Sequence, residues 1–160
     1  MMNLIEKLKT RWQDKVIDSH HLAGDETVVI GREDLKSLVR FLKTDPVFDM
    51  NLLVDITAVD YLPQDRPERF EVVYHFYSLN FQHRLRVKVR LSEASPEVET
   101  LSDLWPIADW LEREVWDMFG IRFQGHPNLK RLLMYEEFQG HALKKDYPYN
   151  KRQPLIGPKN

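Results

Sequence analysis

Between Arg84 and Leu91 the chain alternates without a miss. Leu85, Val87, Val89 and Leu91 fall on one side, and Arg84, Arg86, Lys88 and Arg90 on the other. A period of two sustained this long is a β-strand with one face in a core and one in water. Such a strand needs partner strands, and it needs an apolar layer over its inner face. Two neighbouring segments qualify as partners: Leu52 to Tyr61, rich in apolar and β-branched residues, and Phe70 to Leu79, aromatic and β-branched. The linker Pro63 to Pro67 and the turn around Asn80 permit antiparallel connections. Further upstream, Thr27 to Ile30 reads as a short strand that Gly31 breaks.

Helical periodicity supplies the covering layer. Leu4, Ile5, Leu8, Trp12 and Val16 share one face of a helix predicted over residues 3–17, with Asn3 and Glu6 as a capping pair. Leu35, Leu38, Val39 and Leu42 define a second helix, stopped at Asp45-Pro46. A third runs from about Ser102 or Trp105 to Phe119, with Pro106 tolerable only in its first turn and Gly120 as a left-handed stop. The expected order is α-β-α-β-β-β-α. Strands grouped in this way indicate an α+β fold, with helices packed on one face of a mostly antiparallel sheet. Residues 1–120 form this domain, and residues 121–160, which keep no sustained period, form an extended irregular arm.

Composition narrows the function. The chain has 160 residues, enough for one domain with its own core, and its net charge of −2 lacks the basic excess of a dedicated DNA-binding domain. It contains no cysteine, which removes disulfides, zinc–thiolate sites, thiol nucleophiles and thiolate-held iron–sulfur clusters together. Any cluster in an electron-transfer role must therefore sit on another chain. No stretch approaches the ~18 consecutive apolar residues of a membrane span. The N-terminus has no apolar signal region, and any membrane association is expected to run through partners.

Charge is divided along the chain. From Lys130 onward stand seven bases and three acids, net +4, which leaves −6 on residues 1–129. The arm also carries Leu132, Leu133, Met134, Tyr135, Phe138, Tyr147 and Tyr149, too apolar for a plain disordered end. It needs a surface to lie on, its own domain's or a partner's, and with no evident partner within the chain it is expected to be partly disordered in isolation. The opposite charges suggest that electrostatics help to place it.

Candidate chemistry is sparse. Glu112, Arg113, Glu114 and Asp117 crowd the end of the third helix. Arg113 and Asp117 are spaced to pair, and bare carboxylate spacing reads better as a solvated or partner-facing flank than as an acid–base pair. Of six histidines, His75 and His83 could approach across a hairpin, but two without a third ligand do not make a metal site. The basic face from Arg84 to Arg90 could track phosphate, yet alternation already explains it. Gly120, Gly125 and Gly140 are isolated and form no phosphate loop.

One long string is specific. Glu112-Arg113-Glu114-Val115-Trp116-Asp117-Met118-Phe119-Gly120-Ile121, then His126-Pro127, then Lys130-Arg131-Leu132-Leu133-Met134, resembles the signature of the 30 kDa subunit of respiratory complex I, the bacterial NADH–quinone oxidoreductase. The continuation from Tyr135 through Gly140-His141-Ala142-Leu143-Lys144-Lys145-Asp146-Tyr147-Pro148, and Lys151-Arg152-Gln153-Pro154-Leu155, looks like the same family. Family members more usually carry Pro at position 142 and Arg at 144. A lysine at 144 forgoes the bidentate fork, so one arm contact is expected to differ.

The resemblance implies a cofactor-free subunit with no active site of its own, in an assembly whose FMN and Fe–S clusters lie on partner subunits. It implies a place in the peripheral arm of the complex, on the cytoplasmic side of the bacterial inner membrane, against the quinone-site (49 kDa-type, D) and terminal-cluster (B) subunits. Nucleic acid is not an expected partner. Glu112, Arg113, Glu114, Asp117, Phe119, Gly120, His126, Pro127, Lys130, Arg131, Leu132, Lys145, Asp146, Tyr147 and Pro148 are then structural and interfacial rather than catalytic. The equivalent component of a membrane-bound hydrogenase or another complex I-like assembly is the alternative.

Overall fold

The computed structural model describes residues 3–64 and 66–154. The alternating segment is the central strand of a five-stranded sheet ordered β1-β2-β5-β4-β3. Here β1 is Val16–Leu22, β2 Asp25–Ile30, β3 Leu52–Asp60, β4 Phe70–Ser78 and β5 His83–Leu91. On one flank β5 pairs antiparallel with β4, placing Leu85, Val87, Val89 and Leu91 opposite Phe76, Tyr74, Val72 and Phe70. On the other it pairs parallel with β2, with Val28 beside Val87 and Ile30 beside Val89. These residues form one apolar face.

Three helices cover that face: α1 Leu4–Trp12, α2 Leu35–Thr44 and α3 Ala108–Phe119. Leu8, Leu35, Leu38, Val39, Leu42, Ala108, Val115 and Met118 join the sheet residues in one core. Each leucine so buried contributes roughly 1.5–3 kcal/mol, which is why the short, individually marginal helices hold. Asn3 caps α1 with the expected reciprocal bonds to Glu6. Gly120 ends α3 at φ 77, donating its N–H to the Trp116 carbonyl at 2.8 Å.

The α+β class, the single helical face and the mostly antiparallel character of the sheet agree with the sequence reading, three of its four pairings being antiparallel; the element order does not. The sheet is mixed, because the β2–β5 pairing is parallel. The order is α-β-β-α-β-β-β-β-α-β. The first helix stops at Trp12, followed by one 3-10 turn, and Val16 opens an edge strand instead of closing the helix. That strand is nearly all solvent-exposed, so its sequence, Val-Ile-Asp-Ser-His-His-Leu, carries no burial pattern to read. Its turn to β2 is Ala23-Gly24, both at positive φ, the backbone of a two-residue hairpin turn usually marked by Asn-Gly. The strands β6 (Glu97–Glu99) and β7 (Arg122–Gln124) form a separate parallel pair, too short for a periodic signal.

The outer face of the sheet is neutralised within the chain. Lys88 and Arg90 both reach the buried Glu71, at 2.9 and 3.6 Å, Arg90 also reaches Asp18 at 3.6 Å, and Arg86 reaches Asp25 at 2.6 Å. The row that could track phosphate is thus largely spent on internal carboxylates.

Candidate functional site

The motif-bearing helix end and the arm meet along one side of α3. Residues 113 and 117 lie one helical turn apart and both face the arm. They do not pair with each other, contrary to what their spacing suggests, because each is taken by the arm. The Arg113 guanidinium donates to the Lys130 and Arg131 carbonyls at 3.2 and 3.0 Å. Asp117 is wholly buried. Its Oδ2 accepts the backbone N–H groups of Leu132, Leu133 and Met134 at 3.0, 2.8 and 2.9 Å, and its Oδ1 accepts Arg131 Nη1 at 2.7 Å. Burial pushes this carboxyl up, but the Met134 N–H, the Arg131 guanidinium and the Leu132 and Leu133 N–H groups outweigh it and hold the group below the usual carboxylate range.

Arg131 extends the anchor. Its Nη2 donates to the carbonyls of Phe138, at 2.6 Å, and Gly140, at 3.1 Å, and its charge sits over the Trp116 and Phe138 rings. The Asp117 carbonyl lies 3.0 Å from His141 Nδ1. The His141 ring packs so closely on Gly120 that a Cβ at position 120 would stand 2.7 Å from it. The glycine therefore answers two demands, a left-handed backbone and close approach. Leu143 N–H bonds the Met118 carbonyl, and Leu129 and Met134 pack on the core. The arm thus has internal partners that its sequence does not reveal.

A second anchor involves residues that the sequence reading does not single out. Arg69 is buried and donates all five N–H groups. Nε and Nη2 bond Asp60 at 3.0 and 2.7 Å, Nη2 and Nη1 bond Asp146 of the arm at 2.8 and 3.1 Å, and Nη1 bonds Glu93 at 2.5 Å. Asp60 also accepts the Lys145 and Leu62 N–H groups. Burial raises the Asp60 carboxyl, but the Arg69 and backbone bonds prevail and bring it down to about 2. The polarity is the reverse of a cationic arm on an acidic body: here an arm carboxylate seeks a body cation. Lys145 is held through its backbone. No signal short of the β3–β4 pairing would have found Arg69, since a lone arginine at a strand entrance is ordinarily exposed.

The third feature is Glu112, fully buried on the α3 flank away from the exposed Glu114. The two carboxylates do not converge. Glu112 Oε2 accepts the Thr100 hydroxyl at 2.5 Å and Oε1 the Leu101 N–H at 2.6 Å, fastening α3 to the loop after β6. Burial raises its carboxyl to about 7 despite those bonds. His126 Nδ1 accepts the Asn128 N–H at 3.0 Å, so its Nε2 carries the proton donated to the Asp109 carbonyl at 3.1 Å.

The remaining motif residues are placed simply. Phe119 is in the core, Pro127 and Lys130 are exposed or nearly so at the surface, and Leu132 is half-buried. Tyr147 stacks on Phe138 and covers Gly140, and the Pro148 carbonyl accepts the Lys151 N–H at 2.9 Å. His83 stands opposite Ser78 and bonds the Phe48 carbonyl, whereas His75 stands opposite Arg86, so the hairpin register keeps the two histidines apart.

The chain matches the family described as respiratory-chain NADH dehydrogenase, 30 Kd subunit, over residues 28–153. It is 44% identical over 153 residues to the C subunit of NADH-quinone oxidoreductase from Geobacter metallireducens, covering 94% of this chain and 93% of the relative. Among solved structures, a trypsin-resistant fragment (1–134) of Nqo5 superposes with a TM-score of 0.70 at 39% identity, over 80% of this chain and all of that one. A chain of the archaeal membrane-bound sulfane sulfur reductase superposes with a TM-score of 0.63 at 21% identity, over 84% of this chain and 79% of that one, a likeness of fold alone.

Proposed function

Because this chain belongs to the 30 kDa subunit family of respiratory-chain NADH dehydrogenase, which includes the C subunit of NADH-quinone oxidoreductase, we propose that it acts as a cofactor-free scaffold in a proton-translocating NADH:quinone oxidoreductase. In this reading it sits in the peripheral arm, on the cytoplasmic side of the bacterial inner membrane, against the quinone-site (D) and terminal-cluster (B) subunits. Electrons pass from NADH through FMN and Fe–S centres on partner subunits to quinone, and this chain holds distances among them. The absence of cysteine agrees with clusters carried elsewhere. No helix among the described residues is long and apolar enough to cross a membrane, which agrees with attachment through partners.

The observation that carries the reading is where the family motif is spent. Asp117, Arg113, Arg131 and Gly120 are used on fastening the arm to α3. That is the geometry of a scaffold, in which buried polar groups specify a shape. Docking falls to residues 121–160, where Leu133, Leu143 and the almost fully exposed Tyr149 point outward and are the groups that meet neighbouring subunits. The residues of the motif are structural and interfacial in this scheme.

Affinity capture of the tagged chain from mildly solubilised membranes, with mass spectrometry of what is retained, tests the proposal. Recovery of a flavin-binding NADH-oxidising module together with quinone-site subunits is the expected result. Recovery of a nickel–iron hydrogenase large subunit without that module would transfer the chain to a hydrogenase-type assembly. Recovery of the chain alone would refute the scaffold role.

A further inference from the structure

The two anchors of the arm differ in kind. At Asp117 the carboxylate is wholly buried and bonded to three successive backbone N–H groups, so nothing can replace it without stripping the arm. At Arg69 the cation is buried but the arm's carboxylate is not: the Asp146 side chain is 50% exposed, and that of Glu93 63%. Three carboxylates surround one guanidinium. Asp60 takes two of its five N–H groups and Asp146 two, while Glu93 takes one, through a single oxygen. Glu93 therefore shares Nη1 with Asp146 and meets the guanidinium through one oxygen only.

We propose that the Arg69 seat is an exchangeable clasp: Asp146 leaves, Glu93 turns from one-oxygen to two-oxygen contact, and the segment from Lys144 onward swings from its own body while residues 126–141 stay fixed by Asp117. A buried guanidinium stripped of a partner is costly, and a built-in substitute removes that cost. What else ties this segment down supports the division. Tyr147 stacks on Phe138, and Gln153 bonds Gln139 and the Tyr147 hydroxyl. These contacts lie within the arm, so the segment keeps its own shape while released. Against the body it has only the Arg69 seat, the Lys145 N–H on Asp60 and the Lys144 ammonium over the Phe70 ring among the described contacts. The clasp gives the scaffold reading a strap that can reach a neighbouring subunit, and it rests on that reading only for its purpose.

Limited trypsin digestion of the isolated full-length chain, followed by intact mass, measures the release. Lys144 and Lys145 report the clasp, and Lys130 and Arg131 report the Asp117 anchor. Cleavage of a transiently opened segment tracks its open population. Cleavage at Lys145 is expected to be faster than at Arg131. Asp146→Asn is expected to speed it about tenfold beyond its effect on an unstructured peptide spanning residues 140–152, which subtracts trypsin's own response to the altered bond, with Arg131 unchanged. Glu93→Gln removes the substitute and is expected to slow cleavage at Lys145. An acceleration by Glu93→Gln would make Glu93 a co-holder and overturn the exchange. Equal acceleration of both sites by Asp146→Asn, or none, would overturn the division of the arm. Either failure leaves membership of the complex untouched, just as failed capture would leave the clasp standing.

Discussion

The contribution of Glu112 to stability falls as pH rises, opposite to that of most carboxylates. Its carboxyl is raised by burial from the ordinary 4.5 to about 7, against the bonds from Thr100 and Leu101 that favour the ionised form. Between those values the folded chain holds a proton that the unfolded chain has lost, so stability is fully present below about pH 4.5 and is surrendered up to 7. The shift corresponds to about 3 kcal/mol. The protonated form has a place for its hydrogen: Thr100 Oγ1 lies 2.5 Å from Oε2, and the Thr100 hydroxyl lies 2.9 Å from Ser102 Oγ, so the donor order can reverse along that line. The acids that act in the other direction, Asp60, Glu97, Asp103, Asp117 and Asp146, all have lowered values, and their contributions are lost only in more acidic solution. His75, depressed first by burial, opposes Glu112 near neutrality and is common to any variant. Urea unfolding of wild type and Glu112→Gln at about pH 5 and pH 8 isolates the effect. Wild type should lose about 3 kcal/mol more than the variant across that interval, a midpoint difference of roughly 1–2 M. Parallel pH profiles for the two proteins would refute the argument.

Two further variants test the α3–arm junction. Asp117→Asn leaves three N–H groups facing an amide and removes the partner of Arg131. It should cost about 3 kcal/mol or more in unfolding free energy, and it should speed hydrogen exchange at Leu132, Leu133 and Met134 beyond exchange in the core strands. Gly120→Ala forces a left-handed alanine, at about 1 kcal/mol, and drives its Cβ against His141. The melting temperature should fall, and adding His141→Ala should restore the part due to the clash.

Local pattern is legible wherever one force dominates. The alternation of β5, the apolar stripe of α2 and the Gly120 stop all stand where the sequence places them. Each is a case in which burial or backbone sterics leaves a single arrangement. The apolar stripe of the first helix overruns its true end at Trp12 because Val16 fits the spacing, and β1 leaves no trace because an exposed edge strand need not alternate. At the site, the importance of Glu112 to Asp117 is visible in the motif, but the partners are not. Spacing pairs Arg113 with Asp117, whereas backbone groups of the arm outcompete that pairing with more bonds.

Chemistry by exclusion is settled in one dimension: a chain without cysteine holds no thiolate cluster, whatever its fold. The same holds for strand and helix periods, since residues near in sequence decide them. What joins distant residues is decided only by the tertiary structure. Arg69 and Asp146 lie 77 positions apart, and their meeting depends on where β3, β4 and the arm come together. The sign of a buried group is equally non-local. Asp117 and Glu112 sit on the same helix as equal carboxylates, yet one is drawn below its usual range and the other lifted to about 7. The difference is the balance between the burial that the fold imposes on each and the donors that it brings there, which is absent from the order of residues along the chain.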